Sequence, residues 1–331
     1  MAEPLEYRVL RLLSHREFRS GEALARSLGV TRATVWNAIQ AAQRHGVAVH
    51  RVRGSGYRLA DPIVWLDAAA INAALGPLAS VFDVRVADEV DSTSSRLLAA
   101  AYDAEPGTVL VAERQSAGRG RAGRPWHSST GGGLTFSVLW RFAGGAAALG
   151  GASLAVAVAL IRALGSLGVP EVQVKWPNDI VHSGCKLAGI LIELRGDALG
   201  PTDAFIGVGV NVVLSRRARE EIDQPVIDLH ALAGAVDRNA LLAAILRELH
   251  AVLRRFEADG FAALRDEWTR HHAYDGREVE IGLPAGQRVS GLVQGVGPAG
   301  ELLVQTERGL RSFVSGEIRL RAREVPRNAA V

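Results

Sequence analysis

Between residues 4 and 13 the apolar positions Leu5, Val9, Leu12 and Leu13 recur at the spacing of one helix face. A second helix is predicted after Ser20, a turn at Gly29, and a third helix opened by Thr31 and stopped by Gly46. Val35, Ile39 and Ala42 keep helical spacing on the buried side of that third helix. The next segment, VAVHRVRGSGYRL, alternates on either side of Gly54-Ser55-Gly56 and predicts a β-hairpin. Helix, turn, helix and hairpin together make a winged helix. Its third helix would enter a DNA major groove with Thr31, Arg32, Ala33, Thr34 and Asn37 toward the bases. Gly21 opens the preceding helix, and Arg51, Arg53 and Arg58 on the hairpin can reach phosphates. A helical protein-interaction domain with a solvated basic face is the competing reading. Asp61-Pro62 marks the linker that ends this part.

From about residue 65 to 270 the two periods mix. VFDVRVA, GTVLVAE, GLTFSVLW, VQVKW, DIVHS, KLAGILIEL and AFIGVGVNVV read as strands, and helices are predicted over 67–75, 94–103, 152–166 and 238–271. The short turn at Ser183-Gly184 implies antiparallel pairing, which disfavours a doubly wound parallel sheet. An α+β class follows, with a central mixed sheet and helices on one side. After residue 276 short strands separated by glycine turns predict a small SH3-like β-barrel. The expected division is 1–62, 65–272 and 275–325.

Composition narrows the class. Of 331 residues 48% are hydrophobic and 22% charged, which is globular rather than disordered. The apolar stretch around 143–161 is rich in Ala and Gly and breaks too early for a membrane span. Glu3 and Glu6 stand where a signal peptide would be basic, and the single Cys185 excludes an internal disulfide or a cysteine zinc cage. A cytoplasmic protein is expected. Residues 1–60 hold ten arginines against four glutamates, a balance of +6 that leaves −3 for the rest of the chain. That basic head supports a nucleic-acid contact. Only two of the 38 basic residues are lysines, Lys175 and Lys186, so each is a candidate for chemistry that needs a compact ammonium.

Two runs carry candidate chemistry. In AGRGRAGRPW, residues 117–126, glycines alternate with Arg119, Arg121 and Arg124. Its Gly118-x-Gly120-x-x-Gly123 spacing matches a dinucleotide fingerprint, but a strand follows where that fingerprint needs a helix. No Gly-Lys-Ser or Gly-Lys-Thr makes it a P-loop. What remains is either a loop built to close over an anion or a solvated charge run. In VKWPNDIVHSGCKLAGILIE, residues 174–193, Pro177 fixes a turn that presents Asn178 and Asp179, where a carboxylate could act on Mg²⁺ or a ribose. Lys186 begins the return strand with Gly189 three residues on, and its ammonium could stabilise an anion building up on a carboxylate or phosphate.

The order of VDSTSS (90–95), ERQSAGRGRAGRPW (113–126), KWPNDIVHSGCKLAGIL (175–191), GVGVN (207–211) and SGEIRLR (315–321) resembles biotin protein ligases. With the winged-helix front end, the chain is similar to the bifunctional form that is also the biotin-operon repressor. The resemblance spans nearly the whole chain.

It implies that biotin and MgATP give biotinyl-5′-adenylate, which passes biotin to one lysine of a biotin carboxyl carrier domain. Ser92, Thr93 and Gln115 would hydrogen-bond the biotin head group, with Ser94 standing where the family commonly has Asn. Arg119, Gly120 and Arg121 would cover the adenylate, Gly189 would lie beside biotin, and Lys186 would contact the biotin carboxylate and the α-phosphate. Trp126 would pack near the adenine, Asn178, Asp179 and Asn211 would face the nucleotide, and Arg319 would reach the ATP phosphates. Asp179 would meet Mg²⁺ through ATP. Operator DNA and a homodimer of the adenylate-bound chain are the further implied partners. The rival readings are a lipoate or octanoate ligase, and a ligand-sensing repressor without turnover.

Overall fold

A computed structural model describes residues 3–100, 103–283, 287–314 and 319–322. The chain divides into two compact units, Met1–Val138 with Gly207–Ala243, and Leu139–Ile206 with Ala244–Val331.

The first unit opens with α1 (Leu5–Arg11), α2 (Gly21–Leu28) and α3 (Arg32–Arg44), then a hairpin of β1 (Val49–Val52) and β2 (Gly56–Leu59). Local chemistry sets the boundaries. The Ser20 side chain accepts the Ala23 N–H to cap α2, Gly29 ends it at φ 69°, and the Thr31 side chain accepts the Thr34 N–H to cap α3. Leu10, Leu24, Val35, Ile39 and Leu59 form a shared core. Gly56 is required where it stands, because a Cβ there would lie 2.1 Å from the Arg19 carbonyl, and Arg19 and Tyr57 exchange two backbone hydrogen bonds of 2.9 Å. Among the contacts that tie this winged helix to later residues of its own unit, Arg11 pairs with Asp88 at 2.6 Å, and the Thr130 N–H donates to the His45 carbonyl.

The rest of the unit comprises α4 (Ala68–Leu75), β3 (Asp83–Val90), α5 (Thr93–Ala99), β4 (Thr108–Gln115), and strand β5 (Gly133–Phe142), which runs on into the second unit. Strands β3 and β4 are parallel, and β4 and β5 antiparallel. Both faces of β5 are covered, since Thr135, Ser137 and Leu139 are buried as well as Leu134, Phe136, Val138 and Trp140.

A charge pair lies at the centre of this unit. Arg238 Nη2 sits 2.7 Å from Glu113 Oε2, and the two side chains are 2% and 0% exposed. The guanidinium also donates to the Val64 and Gly133 carbonyls, while Glu113 Oε1 accepts the Leu66 N–H. The linker after Pro62 is thereby fixed to β4.

The second unit holds α6 (Ala152–Ser166), β6 (Gln173–Lys175), β7 (Asp179–His182), β8 (Cys185–Gly196) and the first half of β9 (Thr202–Asn211). Its strands run in the order β5-β9-β8-β7-β6, with β6, β7 and β8 antiparallel, and those of the first unit in the order β3-β4-β5-β9. The sheet is mixed. The first unit adds α7 (Arg216–Glu221) and α8 (Leu229–Ala233). The predicted helix over 238–271 is two helices, α9 (Arg238–Asp259) and α10 (Arg265–Arg270), because Gly260 at φ 68° and a 3₁₀ turn over Phe261–Ala263 interrupt it.

Five more strands complete the second unit, β10 (Glu278–Gly282), β11 (Arg288–Val296), β12 (Leu302–Thr306), β13 (Gly309–Phe313) and β14 (Arg319–Ala322). They form an antiparallel sheet in the order β13-β12-β11-β10-β14. Its end strands β13 and β14 are not paired with one another, so no closed barrel is seen among the described residues. Residues 323–325 of the expected domain lie outside the described residues.

His272, beyond α10, is buried with its ring 4.5 Å from that of Trp268, and both ring nitrogens lack hydrogen-bond partners among the described residues. Burial pushes its pKa from 6.5 down to about 3. The unfolded chain therefore binds this proton first. The stabilising effect is complete above about pH 6.5 and is lost as pH falls toward 3, by up to about 1.4 kcal/mol per pH unit. His272→Phe should flatten the acid limb of a Tm-against-pH profile between pH 4 and 6.5; a limb as steep as in the parent would refute this.

Candidate active site

The first cluster arises from parallel pairing. Because β3 and β4 run in register, Val90 lies opposite Gln115, and both strands deliver their C-terminal ends to one edge of the sheet. Helix α5 starts there, with Ser92 as N-cap accepting the Ser95 N–H. Thr93 and Ser94 occupy its first turn and are buried. Gln115 Oε1 accepts the Thr93 N–H at 2.7 Å and the Thr93 hydroxyl at 3.1 Å. Ser137 Oγ, from β5, lies 2.8 Å from Thr93 Oγ1 and 2.9 Å from Ser94 Oγ. Sequence reading missed Ser137; a second hydroxyl beside Thr135 in a strand of mainly large apolar residues was its only signal.

The glycine-arginine stretch leaves this edge and returns to it. The Gly120 N–H donates to the Arg124 carbonyl at 2.7 Å, and the Trp126 N–H to the Gly118 carbonyl at 2.8 Å. Ala122, inside the turn, holds φ 55°, a conformation that favours glycine. The Trp126 indole then lies against the second half of β9, where a Cβ on Gly209 would come within 2.4 Å of its ring. Asn211, two residues on, donates its side-chain N–H to the Ile227 carbonyl at 3.1 Å. The segment between them is gathered by buried Asp228, which caps α8, accepts the Leu214 N–H and pairs with Arg219. Asp228 was not foreseen either, since its partners are nine and fourteen residues away in an irregular segment.

In the second unit the β7–β8 hairpin carries the lysine. Ser183 (φ 49°) and Gly184 (φ 79°) make a two-residue turn with both residues left-handed, as a type I′ hairpin demands. The ladder shifts by one residue between Ile180 and Val181, so Lys186 pairs opposite Val181 and Gly189 opposite Asp179. Lys186 Nζ reaches back along this face to Asp179 Oδ1 at 2.8 Å, with 15% and 16% of the two side chains exposed. Asn178 is fixed beside them, its side chain donating to the Ile190 carbonyl at 2.7 Å while its own carbonyl accepts the Ile190 N–H. Trp176 is buried and donates to the Gly300 carbonyl. It belongs to the core. This arrangement can hold one compact positive charge beside a carboxylate at a strand end.

On the winged helix, Arg32, Ala33 and Asn37 are exposed at the start of α3, and Arg51 and Arg53 are exposed on the hairpin. Thr31 and Thr34 share a hydroxyl contact of 2.8 Å at the cap. Arg58 is turned back, donating to the His15 carbonyl and lying over the Phe18 ring. Gly21 lies against the Tyr57 ring. Trp36, 42% exposed beside Asn37, is an aromatic on this surface that the sequence reading did not single out. Of Arg319 only the backbone in β14 is described, and residues 315–318 of SGEIRLR lie outside the described residues. Among the described residues no group of three His, Cys, Asp or Glu side chains could hold a metal ion.

Residues 86–211, which contain both clusters, match the biotin/lipoate A/B protein ligase family. Residues 6–58 match a helix-turn-helix domain, and residues 276–321 the biotin protein ligase C-terminal domain. The bifunctional ligase/repressor BirA of Escherichia coli K12 is 37% identical over 96% of this chain and 97% of its own length. The chain belongs to the biotin protein ligase family. The biotin–[acetyl-CoA-carboxylase] ligase of Mycobacterium tuberculosis is 35% identical over 66% of this chain and 81% of its own. The biotin protein ligase of Aquifex aeolicus, solved in complex with biotin and ATP, superposes with a TM-score of 0.63 at 31% identity. It covers 73% of this chain and 99% of its own length. The family fold is thus a mixed sheet with helices, here preceded by a helix-turn-helix. No helix among the described residues is long and apolar enough to cross a membrane.

Proposed function

We propose that this chain is a biotin protein ligase that also represses transcription of biotin synthesis genes in the cytoplasm, with working parts at 1–62, 65–272 and 275–325. A biotin carboxylate oxygen attacks the ATP α-phosphorus and expels pyrophosphate, giving biotinyl-5′-adenylate. The amine of one lysine on a biotin carboxyl carrier domain then attacks the acyl carbon; an amide forms, AMP leaves and the amine loses a proton. The first step brings two anions together, which needs positive charge at the point of contact. Lys186 supplies it as a point charge, and Arg119 and Arg121, on the glycine stretch with Gly120, supply more and shield the mixed anhydride from water.

Ser92, Thr93, Ser94 and Gln115 take the biotin head group, with Gly189 beside it. Trp126 packs near the adenine, and Asn178, Asp179, Asn211 and Arg319 face the nucleotide. Mg²⁺ fits as an ion carried on the ATP phosphates with Asp179 as the protein carboxylate, since Mg²⁺ sites of this kind use one or two carboxylates and keep several waters. When bound it would neutralise phosphate charge. Gly21, Thr31, Arg32, Ala33, Thr34, Asn37, Arg51, Arg53 and Arg58 form the operator-facing surface. The adenylate-bound chain forms a homodimer, which brings two heads to a two-half-site operator.

The observation that carries this reading is the match to a bifunctional ligase/repressor over 96% of the chain, winged helix included. Native mass spectrometry after incubation with MgATP and either biotin or lipoate tests it. Retained biotinyl-adenylate is the expected adduct. A lipoyl-adenylate would favour a lipoate ligase, and no adduct with either would leave a sensor without turnover.

A further inference from the structure

We propose that Ser137 sets the direction of a chain of hydroxyl protons in the head-group site, and so makes the site select ligands that present N–H donors. The inference rests on the assignment of Thr93, Ser94 and Gln115 to the biotin head group.

The direction follows from one fixed end. Gln115 Oε1 takes the Thr93 backbone N–H at 2.7 Å, a distance that fixes the amide oxygen there, because the amide nitrogen would set donor against donor. Oε1 is therefore an acceptor for Thr93 Oγ1 at 3.1 Å, and the Thr93 hydroxyl proton is committed to it. A hydroxyl has one proton, so Thr93 Oγ1 can only accept from Ser137 Oγ at 2.8 Å. The Ser137 proton is then spent as well, and Ser137 Oγ can only accept from Ser94 Oγ at 2.9 Å. The protons run in one line, from Ser94 through Ser137 and Thr93 to Gln115.

Burial enforces the order. Ser137 is 0% exposed, and Thr93 and Ser94 are also buried, so water does not compete for these protons. All three hydroxyl protons point inward along the line, so the hydroxyls of Thr93, Ser137 and Ser94 can offer a ligand only oxygen lone pairs. A cyclic urea presents N–H groups that such oxygens accept. A head group with oxygen or sulfur in place of N–H would set lone pair against lone pair. Ser137 need not touch the ligand; it is a positioning residue, acting through the hydroxyls of Ser94 and Thr93.

The test compares biotin with an analogue whose ureido N–H is replaced by oxygen, a cyclic carbamate, using pyrophosphate exchange by the full-length chain. The parent should disfavour the carbamate at least about tenfold in kcat/KM, the worth of one good hydrogen bond against an unpaired acceptor. In Ser137→Ala the Ser94 proton is released and can turn outward to donate. The biotin KM should rise several-fold, the KM for ATP should stay within twofold, and the preference for biotin over the carbamate should collapse toward unity. Ser137→Cys keeps the volume with a weaker donor and should fall between the two; it carries the same comparison if the alanine variant does not fold. A merely structural role would weaken both ligands equally. An unchanged ratio in both variants, or a parent that does not discriminate, would overturn the proposal. Failure of the parent to form any biotinyl-adenylate would instead overturn the functional assignment beneath it.

Discussion

Lys186→Arg is expected to lower the rate of adenylate formation by about 10²–10³-fold, the range seen when one preorganised electrostatic contact to a reacting group is removed. The substitution keeps the positive charge, so its effect isolates geometry. Lys186 Nζ is a single point 2.8 Å from Asp179 Oδ1, held there by a two-residue turn and a one-residue shift in the β7–β8 ladder. A guanidinium is longer and planar, and a carboxylate at that distance would take it as a two-pronged pair. The charge would then be locked onto Asp179 rather than shared with the incoming carboxylate and α-phosphate. Pyrophosphate exchange and single-turnover adenylate formation measure this directly. The main loss should fall on the chemical step, with a smaller change in the KM for biotin and an unchanged Tm. Near-normal turnover would remove Lys186 from the reaction.

Much of this was legible because its causes are local. Ser20, Gly29 and Thr31 cap or end helices through contacts within four residues, so the helix-turn-helix could be drawn from the sequence. The Ser183-Gly184 turn announces its own hairpin and places Lys186 near the start of the return strand. The rarity of lysine in an arginine-rich chain drew attention to the same residue. Local signals failed where the deciding partner is remote. Gly260 is the exception, a local stop whose left-handed backbone makes the helix over 238–271 two although the apolar period continues past it. Whether five short strands with glycine turns close into a barrel depends on strand pairing, which is not a local property. Ser137 is buried because β5 is covered on both faces, which an alternating run does not announce. The cluster of Thr93, Ser94, Gln115 and Ser137 joins residues up to 44 apart in sequence, and no spacing rule connects a Ser in GLTFSVLW to VDSTSS.

The largest effect on stability should come from Arg238 and Glu113, a pair separated by 125 positions and almost wholly withdrawn from water. Arg238→Met removes the counter-charge of a buried carboxylate and strips the Val64 and Gly133 carbonyls of the N–H groups that donate to them. Breaking such a pair on one side costs about 3–5 kcal/mol, because the remaining charge has neither water nor a partner. Glu113→Leu should be comparably severe: it strands the guanidinium and leaves the Leu66 N–H without its acceptor. The double variant then separates two contributions. If the charges dominate, replacing both with apolar side chains should recover most of the loss. If the backbone groups dominate, recovery should be partial, at about 1–3 kcal/mol for each carbonyl or N–H left buried and unpaired. Here three backbone groups depend on the pair, so partial recovery is the expected result. Urea titration of the parent, both single variants and the double variant gives the four midpoints needed, read on a probe within the first unit because a chain of two compact units need not unfold in one step. Single variants within about 1 kcal/mol of the parent would contradict the arrangement, for a buried pair with this many dependants leaves no route to so small a loss.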